Sequence, residues 1–256
     1  MPPVMGNDDM RSVKLLTFIA FTLVAVFILF VLAVILFPWI RKLGPGLLQL
    51  YSRISLSILR VRVDAADPIP VGVAKDKGII LIANHVSVLD IFLMSALYRT
   101  LFLSKEEVAH YPVIGIAARL IGIYFLKRES PFDRHRVIRK IASQSNGRII
   151  TIFPQGTTSA LENLLPFKRG IFKTVELNHG TILLPAAIRY REDPAIAWRR
   201  DQILIDNLKA VCAQKRIHVK VSIAEPMSIS DYTDKTIDDV CCVAQERVFS
   251  RLKSDY

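Results

Sequence analysis

Cysteine is scarce in this chain: Cys212, Cys241 and Cys242 are the three among 256 residues. An odd number with no C-x-x-C spacing excludes a disulfide framework and a cysteine zinc site. The five histidines show no metal-ligand spacing either, so no metal centre is expected. No G-x-S-x-G sequence occurs, which removes the serine elbow of an α/β hydrolase. Internal repeats and low-complexity tracts are also missing. Acidic residues are in deficit, with 23 Asp and Glu against 34 Lys and Arg, a net charge of +11. Nucleic acid would suit that sign, but neither a recognition motif nor interleaved basic and aromatic residues accompany it. An anionic membrane surface or an acidic ligand fits the charge better.

What the chain has in plenty is apolar length. Residues 15–37 contain no charge and are dense in Leu, Ile, Val, Phe and Ala. At about 1.5 Å per residue this run exceeds the roughly 30 Å hydrocarbon thickness of a bilayer. It is longer than the apolar part of a signal peptide, and it leads through Phe37 and Pro38 into Trp39, Ile40, Arg41 and Lys42, an aromatic and basic border. Residues 1–42 are therefore expected to be a retained single-pass transmembrane anchor. Arg11 and Lys14 precede the run, while Arg41, Lys42, Arg53, Arg60 and Arg62 follow it. That excess places the rest of the chain on the cytoplasmic face. Gly44-Pro45-Gly46 reads as a chain break. Beyond it Leu47, Tyr51, Ile54 and Ile58 recur at helical spacing, so residues 43–60 read as an amphipathic helix. Its stripe lies in the bilayer surface, or else packs on the domain that follows.

Residues 61–256 remain for one α/β domain. Runs at 78–83, 149–153 and 182–187 are short, apolar and β-branched, with longer helical stretches between them. They predict a mostly parallel central sheet flanked by helices, joined by a later strand over 217–223. The densest basic run, residues 133–141, reads as a helix with Val137, Ile138 and Ile141 inward.

Directly after the first strand comes Asn84-His85-Val86-Ser87-Val88-Leu89-Asp90. On one continuous helix a five-residue offset would turn the two side chains about 140° apart. They meet only if His85 lies in the loop and Asp90 in the first turn of the next helix. Asp90 can then accept a hydrogen bond from one imidazole nitrogen and leave the other free as a base. Alternatively, Ser87 to Asp90 forms a capping box and Asp90 merely closes a helix N-terminus. The second strand at 149–153 runs into Phe153-Pro154-Gln155-Gly156-Thr157-Thr158-Ser159, a Pro/Gly turn rich in hydroxyls. Gly156 permits a positive φ, and amides in such a turn can converge on an anion or a developing oxyanion.

Together these two stretches resemble the motifs N-H-x-x-x-x-D and F-P-E-G-T-R-S of the glycerolipid acyltransferase family. Two further blocks stand in that family's order. Ser104-Lys105-Glu106-Glu107, Pro112-Val113-Ile114-Gly115 and Gly122–Arg128 are similar to its second motif, and Leu183-Leu184-Pro185-Ala186-Ala187-Ile188 to its fourth. The resemblance spans about residues 75–230.

It implies a membrane enzyme that moves an acyl group from an acyl-CoA or acyl carrier protein thioester to a lysolipid hydroxyl. The acceptor implied first is 1-acylglycerol-3-phosphate. His85 would be the base and Asp90 its orienting partner. Lys105 and Arg128 match positions of the family's second motif, and each could pair with phosphate or another acidic headgroup, or else be an ordinary surface or salt-bridging base. Phe153, Gln155, Gly156, Thr157 and Thr158 would line the substrate site, with oxyanion donors in the turn. No cofactor or metal is implied. Pro112 and Pro185 read as backbone-shaping.

Two positions depart from the family pattern. Gln155 stands where glutamate is usual, keeping an acceptor oxygen but losing the charge. Thr158 stands where the pattern has the arginine associated with acceptor phosphate. Threonine there also occurs in relatives that acylate other lysolipids, so the alternative acceptor is a different lysolipid, such as a lyso-amino-acid lipid or a lysophospholipid. Lys168 and Arg169, a short loop beyond, could supply the missing charge. A hydrolase and a catalytically weak lipid-binding protein are the rival classes, distinguished by fatty acid release without acceptor and by thiol release with one.

Overall fold

A computed structural model describes residues 7–36, 39–71, 73, 77–144, 147–228, 232 and 235–253. Phe37 and Pro38, at the end of the expected anchor, lie outside them. The chain opens with helices α1 (Asn7–Ile35) and α2 (Ile40–Ile58), then strands β1 (Val61–Ala66) and β2 (Ile79–Ala83). Helix α3 (Leu89–Tyr98), β3 (Leu101–Lys105), α4 (Ile114–Ile121), β4 (Tyr124–Leu126), α5 (Pro131–Gln144) and β5 (Ile149–Ile152) follow. The chain continues through α6 (Lys173–Leu177), β6 (Ile182–Tyr190), α7 (Asp193–Ile196), α8 (Leu204–Ala213), β7 (Ile217–Ile223), β8 (Met227–Ser228) and α9 (Ile237–Lys253).

The strands form one sheet in the order β1-β7-β6-β2-β5-β3-β4, with β8 paired to β6. Neighbours run parallel except where β6 meets β7 and β8. This is the mostly parallel α/β architecture expected from the sequence. Strand β2 is Ile-Ile-Leu-Ile-Ala and buried throughout, because helices cover both sheet faces. Its side chains alternate between two cores. Leu81 and Ala83 join α3 and α8 residues such as Leu93 and Val211, whereas Ile80 and Ile82 join Ile138, Ile141, Val240 and Val248 from α5 and α9. The inward set expected for the basic helix, Val137, Ile138 and Ile141, is buried as read. Strand β7 alternates buried and half-buried residues, as suits a position next to the edge.

Helix α1 is docked as well as apolar. Its residues Asp9–Ile35 are long and apolar enough to cross a membrane. At its start, however, the buried Lys14 ammonium donates to the carbonyls of Gln214 and Lys215 just beyond α8. Phe18 then packs on Phe92 with centroids 5.8 Å apart, and Phe21 stacks on Tyr51 at 5.3 Å. Leu23, Val24, Phe27, Ile28, Phe30 and Val34 remain exposed on the outer side.

The expected break at Gly44-Pro45-Gly46 does not occur. Helix α2 starts at Ile40 and carries Pro45 inside it. Pro45 is the sixth helical residue, so it forgoes the amide bond to the carbonyl four residues back, and the helix runs on through it. The glycine before it serves packing instead: a Cβ on Gly44 would stand 2.2 Å from the Ile121 carbonyl at the end of α4. Of the expected α2 stripe, Leu47, Tyr51 and Ile58 are half-buried and Ile54 is exposed. Ser52, Ser55 and Leu56 are buried on the domain, while Leu43, Leu50 and Ile54 are exposed.

Candidate active site

The site lies at the carboxyl ends of β2, β5 and β6. Asn84 extends the ladder past the end of β2: its side-chain nitrogen donates to the Ile188 carbonyl at 2.9 Å, and its oxygen accepts the Ile188 amide at 2.8 Å. The backbone is thereby released into a loop at His85 at a fixed point. His85 sits in that loop and Asp90 in the first turn of α3. Their separation is the one the sequence demanded, with His85 Nδ1 2.7 Å from Asp90 Oδ2.

Asp90 is fully buried and also serves the loop backbone. Its Oδ2 accepts the amides of Val86 at 2.6 Å and Ser87 at 3.0 Å, while Oδ1 accepts the Tyr190 hydroxyl at 2.8 Å. Asp90 therefore orients the imidazole and ties down two loop amides ahead of α3, whose N-cap, Val88, has no side-chain cap hydrogen bond. The serine of the supposed capping box faces elsewhere. Ser87 Oγ donates to Asn207 Oδ1 at 3.0 Å, and the same oxygen accepts the Val88 amide at 3.1 Å. Asn207, buried on α8, donates in turn to the Ile196 carbonyl.

The second motif reaches the same place. Phe153 stacks flat on the His85 ring, with centroids 4.1 Å apart and planes 10° apart. Gln155 pins the two loops together: Oε1 accepts the His85 amide at 2.7 Å, and Nε2 donates to Ser159 Oγ at 3.1 Å and the Leu165 carbonyl at 3.2 Å. The Ser159 amide donates back to the His85 carbonyl at 2.9 Å. Gly156 adopts φ +77° and closes the turn with its amide on the Phe153 carbonyl. Two turn amides are thus committed. Those of Thr157 and Thr158 have no protein acceptor among the described residues. The Thr158 hydroxyl donates to the Trp198 carbonyl at 2.7 Å, and the Trp198 amide donates to the Val86 carbonyl, so this backbone bridges both loops.

A cationic group flanks the turn. Lys105 ends β3, and Arg128 follows β4. The Lys105 pKa is held below the ordinary lysine value, first by desolvation and then by the neighbouring Arg128 and Lys168 charges, with Glu107 and Glu129 opposing. The Lys168 side chain lies across the glycine: its Nζ would be 3.0 Å from a Cβ at Gly156. Arg169 is directed away, to Asp238 at 3.0 Å. Of the two residues weighed as replacements for the missing arginine, Lys168 alone stands at the turn.

Sequence reading alone did not single out Tyr190, Asn207 or Trp198. The signal for Tyr190 was a polar aromatic closing a largely apolar strand; Asn207 and Trp198 reach the site only through tertiary contacts.

A profile of the acyltransferase family matches residues 60–189. A 1-acyl-sn-glycerol-3-phosphate acyltransferase of Neisseria gonorrhoeae is 31% identical over 172 residues, which cover 65% of this chain and 66% of that protein. A lyso-ornithine lipid O-acyltransferase of Pseudomonas aeruginosa is 34% identical over 174 residues, 65% of this chain and 67% of the relative. The matched stretches thus span about two thirds of these relatives' length. The fold is shared with the crystal structure of the 1-acyl-sn-glycerophosphate (LPA) acyltransferase PlsC from Thermotoga maritima. That comparison gives a TM-score of 0.68 at 20% identity, covering 96% of this chain and 99% of the other.

Proposed function

Since the chain belongs to the acyltransferase family, we propose that it transfers an acyl group from a thioester to the hydroxyl of a lysolipid. The observation that carries this reading is the His85–Asp90 hydrogen bond meeting the Phe153–Ser159 turn at one end of the sheet. Asp90 holds Nδ1, so Nε2 takes the lysolipid hydroxyl proton as that oxygen attacks the thioester carbonyl. The tetrahedral oxyanion is met by the free amides of Thr157 and Thr158. Collapse expels the thiolate, to which the imidazolium returns the proton, giving ester and free thiol. Substrate and products carry all the chemistry, so the scheme calls on no cofactor beyond the acyl-CoA or acyl carrier protein donor.

The convergence of Lys105, Arg128 and Lys168 supports an acceptor with a phosphate, foremost 1-acylglycerol-3-phosphate. Thr158 supports a second reading. Its hydroxyl is spent on the Trp198 carbonyl, so this position adds no charge for a terminal phosphate, and a lysolipid such as a lyso-amino-acid lipid becomes the acceptor. Membrane attachment through α1 and the exposed α2 stripe, with the catalytic unit on the cytoplasmic face, completes the proposal.

The test offers purified full-length protein a panel of lysolipids with acyl-CoA and acyl carrier protein donors, reading both thiol release and acylated product. Acylated 1-acylglycerol-3-phosphate as the preferred product, weakened in KM by Lys168→Ala, supports the first reading. Free fatty acid as the sole product would overturn acyl transfer in favour of hydrolysis.

A further inference from the structure

Strand β6 outlasts β2. Ala83 pairs with Ala186, yet β6 continues to Tyr190, its next rung being closed by the Asn84 side chain. The sequence Ile-Leu-Leu-Pro-Ala-Ala-Ile-Arg-Tyr is buried at nearly every position. A fully buried phenol ending such a strand requires a partner, since an unpaired hydroxyl in that setting is costly. Its partner is the catalytic-loop carboxylate: Tyr190 donates to Asp90 Oδ1 at 2.8 Å.

The two oxygens of Asp90 are served differently. Oδ2 carries His85 Nδ1 and two loop amides, whereas Oδ1 has Tyr190 as its partner among the described residues. We infer that Tyr190 is a positioning residue for the reaction, one that holds Asp90 by its second oxygen and tempers the basicity of the carboxylate behind His85. This rests on the reading of His85 as the base. A carboxylate fixed at one oxygen can rotate about its last bond. Fixed at both, it keeps Oδ2 in line with Nδ1 and with the Val86 and Ser87 amides. The phenolic donor also draws charge from the carboxylate, so the proton taken from substrate stays on the imidazole rather than passing to Asp90.

The charged and titratable groups around this contact come from three elements. His85 faces it from the β2–α3 loop. Asp193 faces it from the start of α7, with Oδ2 accepting the Leu161 amide at 3.0 Å and Oδ1 without a partner among the described residues. Glu162 acts on Asp193 from the segment after the second motif. From α8 comes only the neutral Asn207. Burial and the two aspartates, Asp90 and Asp193, push the phenol well above its ordinary pKa, so it remains a donor across the working range.

The experiment compares full-length wild type with Tyr190→Phe and with a chain carrying 3-fluorotyrosine at 190, measuring kcat, KM and the pH dependence of kcat/KM for acyl transfer. Wild-type transfer with a titrating acid limb tests the acyl-transfer reading by itself. Tyr190→Phe is expected to lower kcat by about tenfold with little change in lysolipid KM. It should also move the acid limb to higher pH, because an Asp90 freed of its donor pairs more strongly with imidazolium. Fluorotyrosine, a stronger donor of nearly the same shape, should move the limb the opposite way. Should Tyr190→Phe fail to fold, the fluorotyrosine chain decides alone. An acid limb that stays put in every folded variant marks Tyr190 as structural and overturns the inference, whatever kcat does.

Discussion

Glutamate in place of Gln155 is the usual residue of the resembled motif, yet this chain should not accept it without cost. Gln155 is 1% exposed and uses both ends of its amide. A glutamate keeps the acceptor for the His85 amide, and Ser159 can turn its hydroxyl to donate. The Nε2–Leu165 carbonyl bond of 3.2 Å has no such remedy, because a carboxylate oxygen would face a carbonyl oxygen. Losing that bond and burying the charge should cost about 1–3 kcal/mol, with the stronger His85 amide bond offsetting part. For a domain this long, that is a fall of several degrees in Tm, at about 2–4 °C per kcal/mol. Protonation restores a donor toward Leu165, so the folded state raises the carboxyl pKa above its unfolded value of about 4.3. The sign follows: the variant matches wild type below that value and loses stability as pH rises through the raised one. Melts of wild type and Gln155→Glu at acidic and mildly alkaline pH read the difference. A Tm gap that is equally small at both ends would refute the role given to the Leu165 carbonyl.

Three other outcomes follow from the same geometry. Gly156→Ala should cost about 1–2 kcal/mol from the left-handed backbone alone, and more because Lys168 must withdraw; thermal melts together with acceptor KM check both effects. Thr158→Arg removes the donor to the Trp198 carbonyl and adds a fork for phosphate, so the kcat/KM ratio of lysophosphatidate over lysolipids without a terminal phosphate should rise by about tenfold. An unchanged ratio would take Thr158 out of acceptor choice. Alkaline carbonate washing should leave the full-length chain in membranes, whereas release into the supernatant would contradict an embedded α1.

The parts of this fold legible in sequence were those where local chemistry and tertiary structure agree. Strand β2 is apolar at all five positions because both faces are covered, and that pattern is visible without coordinates. The offset of His85 and Asp90 stated what geometry their meeting required, and the second motif with its family resemblance favoured that meeting over a mere helix cap. Gly44-Pro45-Gly46 misled because local propensity was overridden by packing: the close approach of α2 to Ile121 needs a glycine, and the helix runs on through Pro45 despite the amide bond it lacks. The contacts that complete the site were illegible for another reason. Tyr190 lies 100 residues from Asp90, and Asn207 lies 120 from Ser87. No spacing rule connects side chains that meet only through the crossing of strands and helices.

The central claim is that His85 is the base for acyl transfer. The most direct measurement is lysolipid-dependent thiol release by purified His85→Ala, with circular dichroism and a melting curve verifying the fold. Loss of turnover by several orders of magnitude in a folded protein is the predicted result. Near-normal turnover would contradict the account.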